Sequence, residues 1–253
     1  MLNTEKTSKW FKNYTEKFKK DGELPLALRL KVGHSARVAS ICEAVRSSMQ
    51  WNEPGDEWLA HSIGLLHDTG RFPQYEGWET FQDSASTDHG DLGAQILEEE
   101  FDWDGIPEKY KETILIAVKN HNKIEIAADI PLYTYRWAAM IRDADKIDIF
   151  HMVQERIDNG AVFDMLPRHK KHDGLTPELV EQIRREGRGS YTNAKSLQDY
   201  RLIQLTWGCD LNYPVSVATL KADSVFKRIC GDLKPYGIDD LVSELMDKIN
   251  SNK

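Results

Sequence analysis

Along most of the chain the apolar residues recur at steps of three and four, the spacing that places them on one face of an α-helix. Trp10, Phe11, Tyr14 and Phe18 predict a helix over residues 8–20. Val38, Ile41, Val45 and Met49 predict a second, from Leu26 to Met49, and Leu59, Ile63 and Leu66 a third, from Glu57 to His67. A fourth starts near His89, with Leu92, Gly93 and Ile96 inward and Asp88 as its N-cap. A fifth follows the turn at Asp104-Gly105-Ile106-Pro107 and carries Ile114, Ala117 and Val118; a sixth runs from Leu132 to Met152. Further helices are expected near 176–187, 195–207, 214–231 and 238–250. Strand signals are sparse, so the fold class is all-α. Residues 69–88 carry no clean period and contain Gly70, Pro73 and Gly77. They read as a long loop, either a lid or a surface loop pinned by Phe72, Tyr75, Trp78 and Phe81.

Composition narrows the classes. The chain has 253 residues, 40% of them hydrophobic and 29% charged, enough for one large domain or a domain with an extension. A net charge of -8 argues against a broad nucleic-acid surface. An anionic substrate stays compatible with it if a bound cation reverses the local field. No apolar run of about 18 residues predicts a membrane span, and the N-terminus has no apolar segment of signal-peptide type. Cys42, Cys209 and Cys230 are scattered and odd in number, which fits a reducing compartment, so a cytoplasmic location is expected. A homo-oligomer is compatible with this composition. The basic run Arg168-His169-Lys170-Lys171-His172 reads as a solvated face or a contact for substrate phosphate.

The candidate chemistry lies where the apolar stripes are interrupted. His34, His67, Asp68, His89, His121 and Asp145 all fall on inward faces or helix ends, and Asp148 follows Asp145 by one turn on the same face. Burying each separately requires a satisfied partner for every one. A shared metal centre accounts for them together. Imidazole and carboxylate without thiolate suit iron, manganese, zinc or magnesium. Six ligands exceed what one catalytic metal can accept while leaving room for water and substrate. Two metals bridged by Asp68 fit better, one held by His34, His67 and Asp145 and the other by His89 and His121. His61, His151, His169 and His172 lie off these stripes or in loops.

These residues resemble the HD-domain superfamily of metal-dependent phosphohydrolases. His34 in VGHSARVA, His67-Asp68 in LLHDTGR and Asp145 in RDADKID follow its H…HD…D order. His89 in DHGDLGAQIL and His121 in VKNHN resemble the longer pattern of its dinuclear members. The family's Ala-Asp-Lys/Arg-Leu motif aligns with Ala144-Asp145-Lys146-Ile147, which favours Asp145 over Asp148 as the last ligand and leaves Asp143 facing solvent or outer partners. The resemblance covers residues 25–152. It implies a helical HD core there, preceded by an N-terminal helix over 1–24 and followed by a helical extension over 153–253 packed on the core. The implied activity is hydrolysis of a phosphate ester, in a nucleotide or another small phosphorylated molecule, by a metal-activated water. Asp68 would be the central catalytic carboxylate, with two divalent ions as cofactors and Arg71 and Lys146 holding phosphate. The same pattern occurs in mixed-valent di-iron oxygenases that resemble myo-inositol oxygenase, and a non-catalytic nucleotide sensor is a third reading. The Gly-Tyr-Pro segment of the cyclic-di-GMP phosphodiesterase branch is missing, since His121 is followed by NKIEIAADIP.

Overall fold

The computed structural model describes residues 2–165 and 172–251, and no β-strand occurs among them. The helices are α1 Thr4–Glu16, α2 Leu26–Ser48, α3 Asp56–Leu66, α4 Arg71–Trp78, α5 His89–Glu100, α6 Glu108–Asn120, α7 Leu132–Asp158, α8 Val162–Met165, α9 Pro177–Glu186, α10 Leu197–Cys209, α11 Pro214–Ala222, α12 Val225–Leu233 and α13 Asp239–Ser251. Their starts follow from local chemistry. Asn3 accepts the Glu5 amide at α1, Asp88 accepts the Gly90 and Asp91 amides at α5, and Ser196 forms a reciprocal capping box with Asp199 at α10.

Four expectations change. Residues 69–88 are not one loop: α4 occupies Arg71–Trp78 and a single 3-10 turn occupies Asp83–Ala85. Eight residues are too few to display a period, and Pro73 sits in the first turn, where a missing N–H leaves no intrahelical bond unmade. The stretch over 214–231 divides into α11 and α12 at Ser224, whose backbone is left-handed at φ 58°. The first helix begins at Thr4 and ends at Glu16, earlier than its aromatics indicated, and α7 runs six residues beyond Met152 to Asp158. Arg168 to Lys171 lie outside the described residues, while His172 is exposed.

The chain forms two compact units, Met1–Asp148 and Ile149–Lys253, and the boundary falls within α7. In the first, α2 packs along α3, α3 meets α1 and α6, and α4 and α5 lie against each other, with α5 also on α6. Two glycines allow the approaches that matter for the site. A Cβ at Gly64 would strike the Ala39 backbone, so this glycine lets α3 close on α2. A Cβ at Gly70 would strike the His89 carbonyl, so this one seats the start of α4 on α5. From α1, Phe11 and Tyr14 pack edge-on around the buried Phe72, and the Tyr14 hydroxyl donates to the Thr69 carbonyl. The N-terminal helix therefore buttresses the turn that follows His67-Asp68.

In the second unit α10 packs on α12 and α13, and Leu202, Ile203, Leu205, Phe226, Ile229, Leu241, Leu245 and Ile249 are buried. Gly208 leaves room for Ile249 and Phe226. No helix among the described residues is long and apolar enough to cross a membrane.

Candidate metal centre

Helix ends do most of the positioning. His67 is the C-cap residue of α3 and Asp68 follows it; His89 opens α5 and His121 closes α6. His34 lies within α2, and Asp145 and Asp148 within α7. His34, His67, Asp68, His89 and His121 are buried, whereas the Asp145 side chain keeps 22% of its surface exposed and marks the open side.

The structure gathers these residues into two groups that share one carboxylate. Asp68 Oδ2 lies 3.5 Å from the Nε2 atoms of both His34 and His67, which are 3.2 Å apart. Asp68 Oδ1 lies 3.5 Å from His89 Nε2 and 3.7 Å from His121 Nε2, themselves 3.0 Å apart. Asp145 Oδ1 joins the first group, 3.1 Å from His34 Nε2 and 3.8 Å from His67 Nε2. His34, His67 and Asp145 thus lie by one oxygen of Asp68, and His89 and His121 by the other.

The outward face of each imidazole shows what the inward face is for. His67 Nδ1 donates to the Gly64 carbonyl at 2.8 Å and His121 Nδ1 to the Val118 carbonyl at 2.6 Å. His34 Nδ1 donates to Asp148 Oδ2 at 2.7 Å, and His89 Nδ1 to Asp83 Oδ2 at 2.7 Å. Every outer partner is an acceptor, so the Nδ1 atoms carry the protons and, in a neutral ring, Nε2 presents a lone pair. Burial drives the His67 pKa down to about 3 and that of His89 down to about 4, so both rings are neutral at ordinary pH. At His34 burial and Lys31 oppose protonation, yet hydrogen bonds to Asp145 and Asp148 outweigh them and the pKa rises. Burial disfavours the Asp68 carboxylate, but the positive charges of Lys31 and Arg71 help hold it well below the usual range. Asp145 is likewise held down, chiefly by His34 against the effect of burial.

Lone pairs converging on carboxylate oxygens repel one another unless a cation lies between them. The residues present therefore fit two metal ions, with Asp68 offering one oxygen to each.

Several neighbours were not foreseen. Asp83, in the 3-10 turn, accepts from His89, from Arg71 Nη1 at 2.9 Å and from Gln74 and Asn122. Asp148 takes a two-pronged contact from Arg37, at 2.6 and 2.9 Å, besides its bond to His34. It therefore orients His34 from outside the cluster. Lys31 reaches Asp68 Oδ2 at 2.7 Å. Lys31 and Arg37 sit three residues either side of His34 on α2, so helical spacing could have flagged them. Nothing in the sequence of the 69–88 stretch pointed to Asp83. Asp143 is fully buried, which removes the solvent-facing alternative and leaves that of outer partners. Arg71 is committed through Nη1 to Gln74, the Phe81 carbonyl and Asp83, while its Nε faces Asp68 Oδ1 at 3.5 Å. Lys146 is half-buried beside Asp145. His61 bonds Glu43 and Ser8, and His151 pairs with Asp223 in the second unit, so neither joins the cluster.

Comparison with known proteins agrees with this geometry. The family model for the HD domain matches residues 32–159, just over half of the chain and a span that contains all six clustered residues. No curated protein and no solved structure matches the chain.

Proposed function

The chain belongs to the HD-domain family of metal-dependent phosphohydrolases, and from that premise we propose that it hydrolyses a phosphate ester in a small molecule, a nucleotide or another phosphorylated metabolite. The observation that carries the reading is the convergence of four buried imidazole Nε2 atoms on the two oxygens of Asp68, each ring anchored from behind by an acceptor.

Two divalent cations bound there would supply Lewis acidity toward the phosphoryl oxygens and an activated water for attack at phosphorus. The protein's part is orientation and charge. Asp68 is the central catalytic carboxylate because, among the described residues, it belongs to both groups, and its negative charge would help hold a cation at each. Asp145 is the partly exposed member of the cluster, so it is the one a substrate would meet from solvent. Asp83 and Asp148 keep His89 and His34 in the tautomer that points Nε2 inward. Lys146, half-buried next to Asp145, and Arg71, which anchors Asp83, are the two expected phosphate-binding cations. The bound cations would also overcome the repulsion between an anionic substrate and a chain of net charge -8.

The test is an assay under anaerobic conditions with manganese against a panel of phosphomonoesters and nucleotides. Phosphate release that disappears in Asp68→Ala supports the proposal. Oxygen consumption with ferrous iron and no phosphate release would replace it with the oxygenase reading, and a metal-free, inactive protein with the sensor reading. In the same assay Asp145→Ala removes the cation of the His34 group, whereas Asp148→Ala only weakens its binding.

A further inference from the structure

Each half of the centre has two imidazoles, the first has Asp145 besides, and the cationic side chain that faces each half differs. Lys31 Nζ is 2.7 Å from Asp68 Oδ2, and Arg71 Nε is 3.5 Å from Asp68 Oδ1. Each oxygen of the shared carboxylate thus meets two imidazoles and one positive charge. Arg71 cannot leave, because its Nη1 atom is held by Gln74, the Phe81 carbonyl and Asp83. The Lys31 ammonium has one polar partner, Asp68, and lies 5.5 Å from the centroid of the Phe81 ring. It is 20% exposed and sits on a four-carbon stem, so it can move without disturbing the fold.

We infer that Lys31 is a placeholder for the cation of the His34–His67 group. It neutralises Asp68 Oδ2 while that position is empty of metal, is displaced when a cation takes the oxygen, and is then free to bind a phosphoryl oxygen of the substrate at the same edge of the site. This rests on the dinuclear reading and deepens it by naming a residue that links metal loading to substrate binding. Its physical basis is electrostatic. A divalent ion and an ammonium directed at one carboxylate oxygen repel each other, and in a buried site that repulsion is poorly screened. The Phe81 face offers the displaced ammonium a favourable neighbour.

The experiment is a calorimetric titration of the full-length, metal-stripped protein with Mn²⁺, in wild type, Lys31→Met and His67→Ala, followed by titration of the loaded proteins with inorganic phosphate. Acetylation of Lys31 is also measured by mass spectrometry in wild type with and without Mn²⁺. Lys31→Met is expected to tighten one of the two Mn²⁺ sites about ten-fold, the loss of one charge-assisted hydrogen bond that metal must otherwise break. It should leave the other site within about two-fold and weaken phosphate binding about ten-fold. Mn²⁺ should raise Lys31 acetylation relative to the exposed Lys12, and phosphate should lower it again. Unchanged or weaker Mn²⁺ binding in Lys31→Met would overturn the inference, because a lysine that stays on Asp68 supports the metal site. So would unchanged phosphate affinity. Should the variant fail to fold, wild-type acetylation decides, and equal modification with and without Mn²⁺ overturns the inference. Absence of Mn²⁺ binding in wild type, or equal binding in His67→Ala, would instead remove the dinuclear reading itself and the inference with it.

Discussion

Two buried aspartates invite comparison. Asp199, in the second unit, accepts the amide of Thr176 at 2.7 Å on Oδ1, and on Oδ2 the Thr176 hydroxyl at 2.6 Å and the amides of Lys195 and Ser196 at 2.8 and 3.2 Å. Every group that faces it is a donor, and the result is a closed joint between the start of α9 and the start of α10. Asp68 is as deeply buried, but four of the groups around it are imidazole Nε2 atoms of rings held at Nδ1 by other partners. The difference separates a carboxylate bound by neutral backbone and hydroxyl donors from one ringed by imidazoles and faced by the cationic Lys31 and Arg71. Burial alone does not distinguish them. The chemistry of the neighbours does.

The largest effect expected from this contrast is loss of metal. Asp68→Ala should lose both cations, read as metal content by mass spectrometry after dialysis. A variant that retains one full equivalent would break the idea that a single carboxylate serves both positions. Asp199→Ala should do the opposite: full metal content with a stability loss of about 3 kcal/mol in denaturant unfolding, because several buried donors lose their acceptor. If that variant were as stable as wild type, Asp199 would not be the joint described.

Smaller effects sharpen the comparison within the metal centre. Asp83→Ala and Asp148→Ala remove the acceptors behind His89 and His34 and should each weaken one metal site roughly 10–100-fold, leaving the other intact. Calorimetry that showed the same site affected in both would contradict the partition of the ligands. Asp88→Ala gives the smallest change. Asp88 is adjacent to His89, but its carboxylate caps α5 and pairs with Lys123 at 2.6 Å. About 1 kcal/mol of stability should go, seen as a lower Tm, with metal affinity unchanged.

Much of the centre was legible because helical period is a strong constraint. A polar residue on an apolar stripe must point inward, and six such residues in H…HD…H…H…D order left few arrangements open. The weak places have separate physical causes. α4 is eight residues long, too short for its period to appear beside Pro73 and Gly77. Asp83 belongs to a 3-10 turn, where side-chain direction does not follow the helical pattern. Asp148 shares a face with Asp145, and spacing cannot say which of two carboxylates one turn apart meets the inner nitrogen of His34 and which the outer.

The amino-acid sequence by itself determined the all-helical class, the inward residues and the donor types that suit a hard or borderline cation. Those are properties of single helices and single side chains. Only the tertiary structure decided that the two oxygens of Asp68 divide between the two pairs of imidazoles, and that Lys31 holds one of those oxygens. These depend on how close the helices come, which Gly64 and Gly70 permit, and on which nitrogen of each ring is engaged from behind. Ring orientation is set by partners distant in sequence, and no local pattern encodes it.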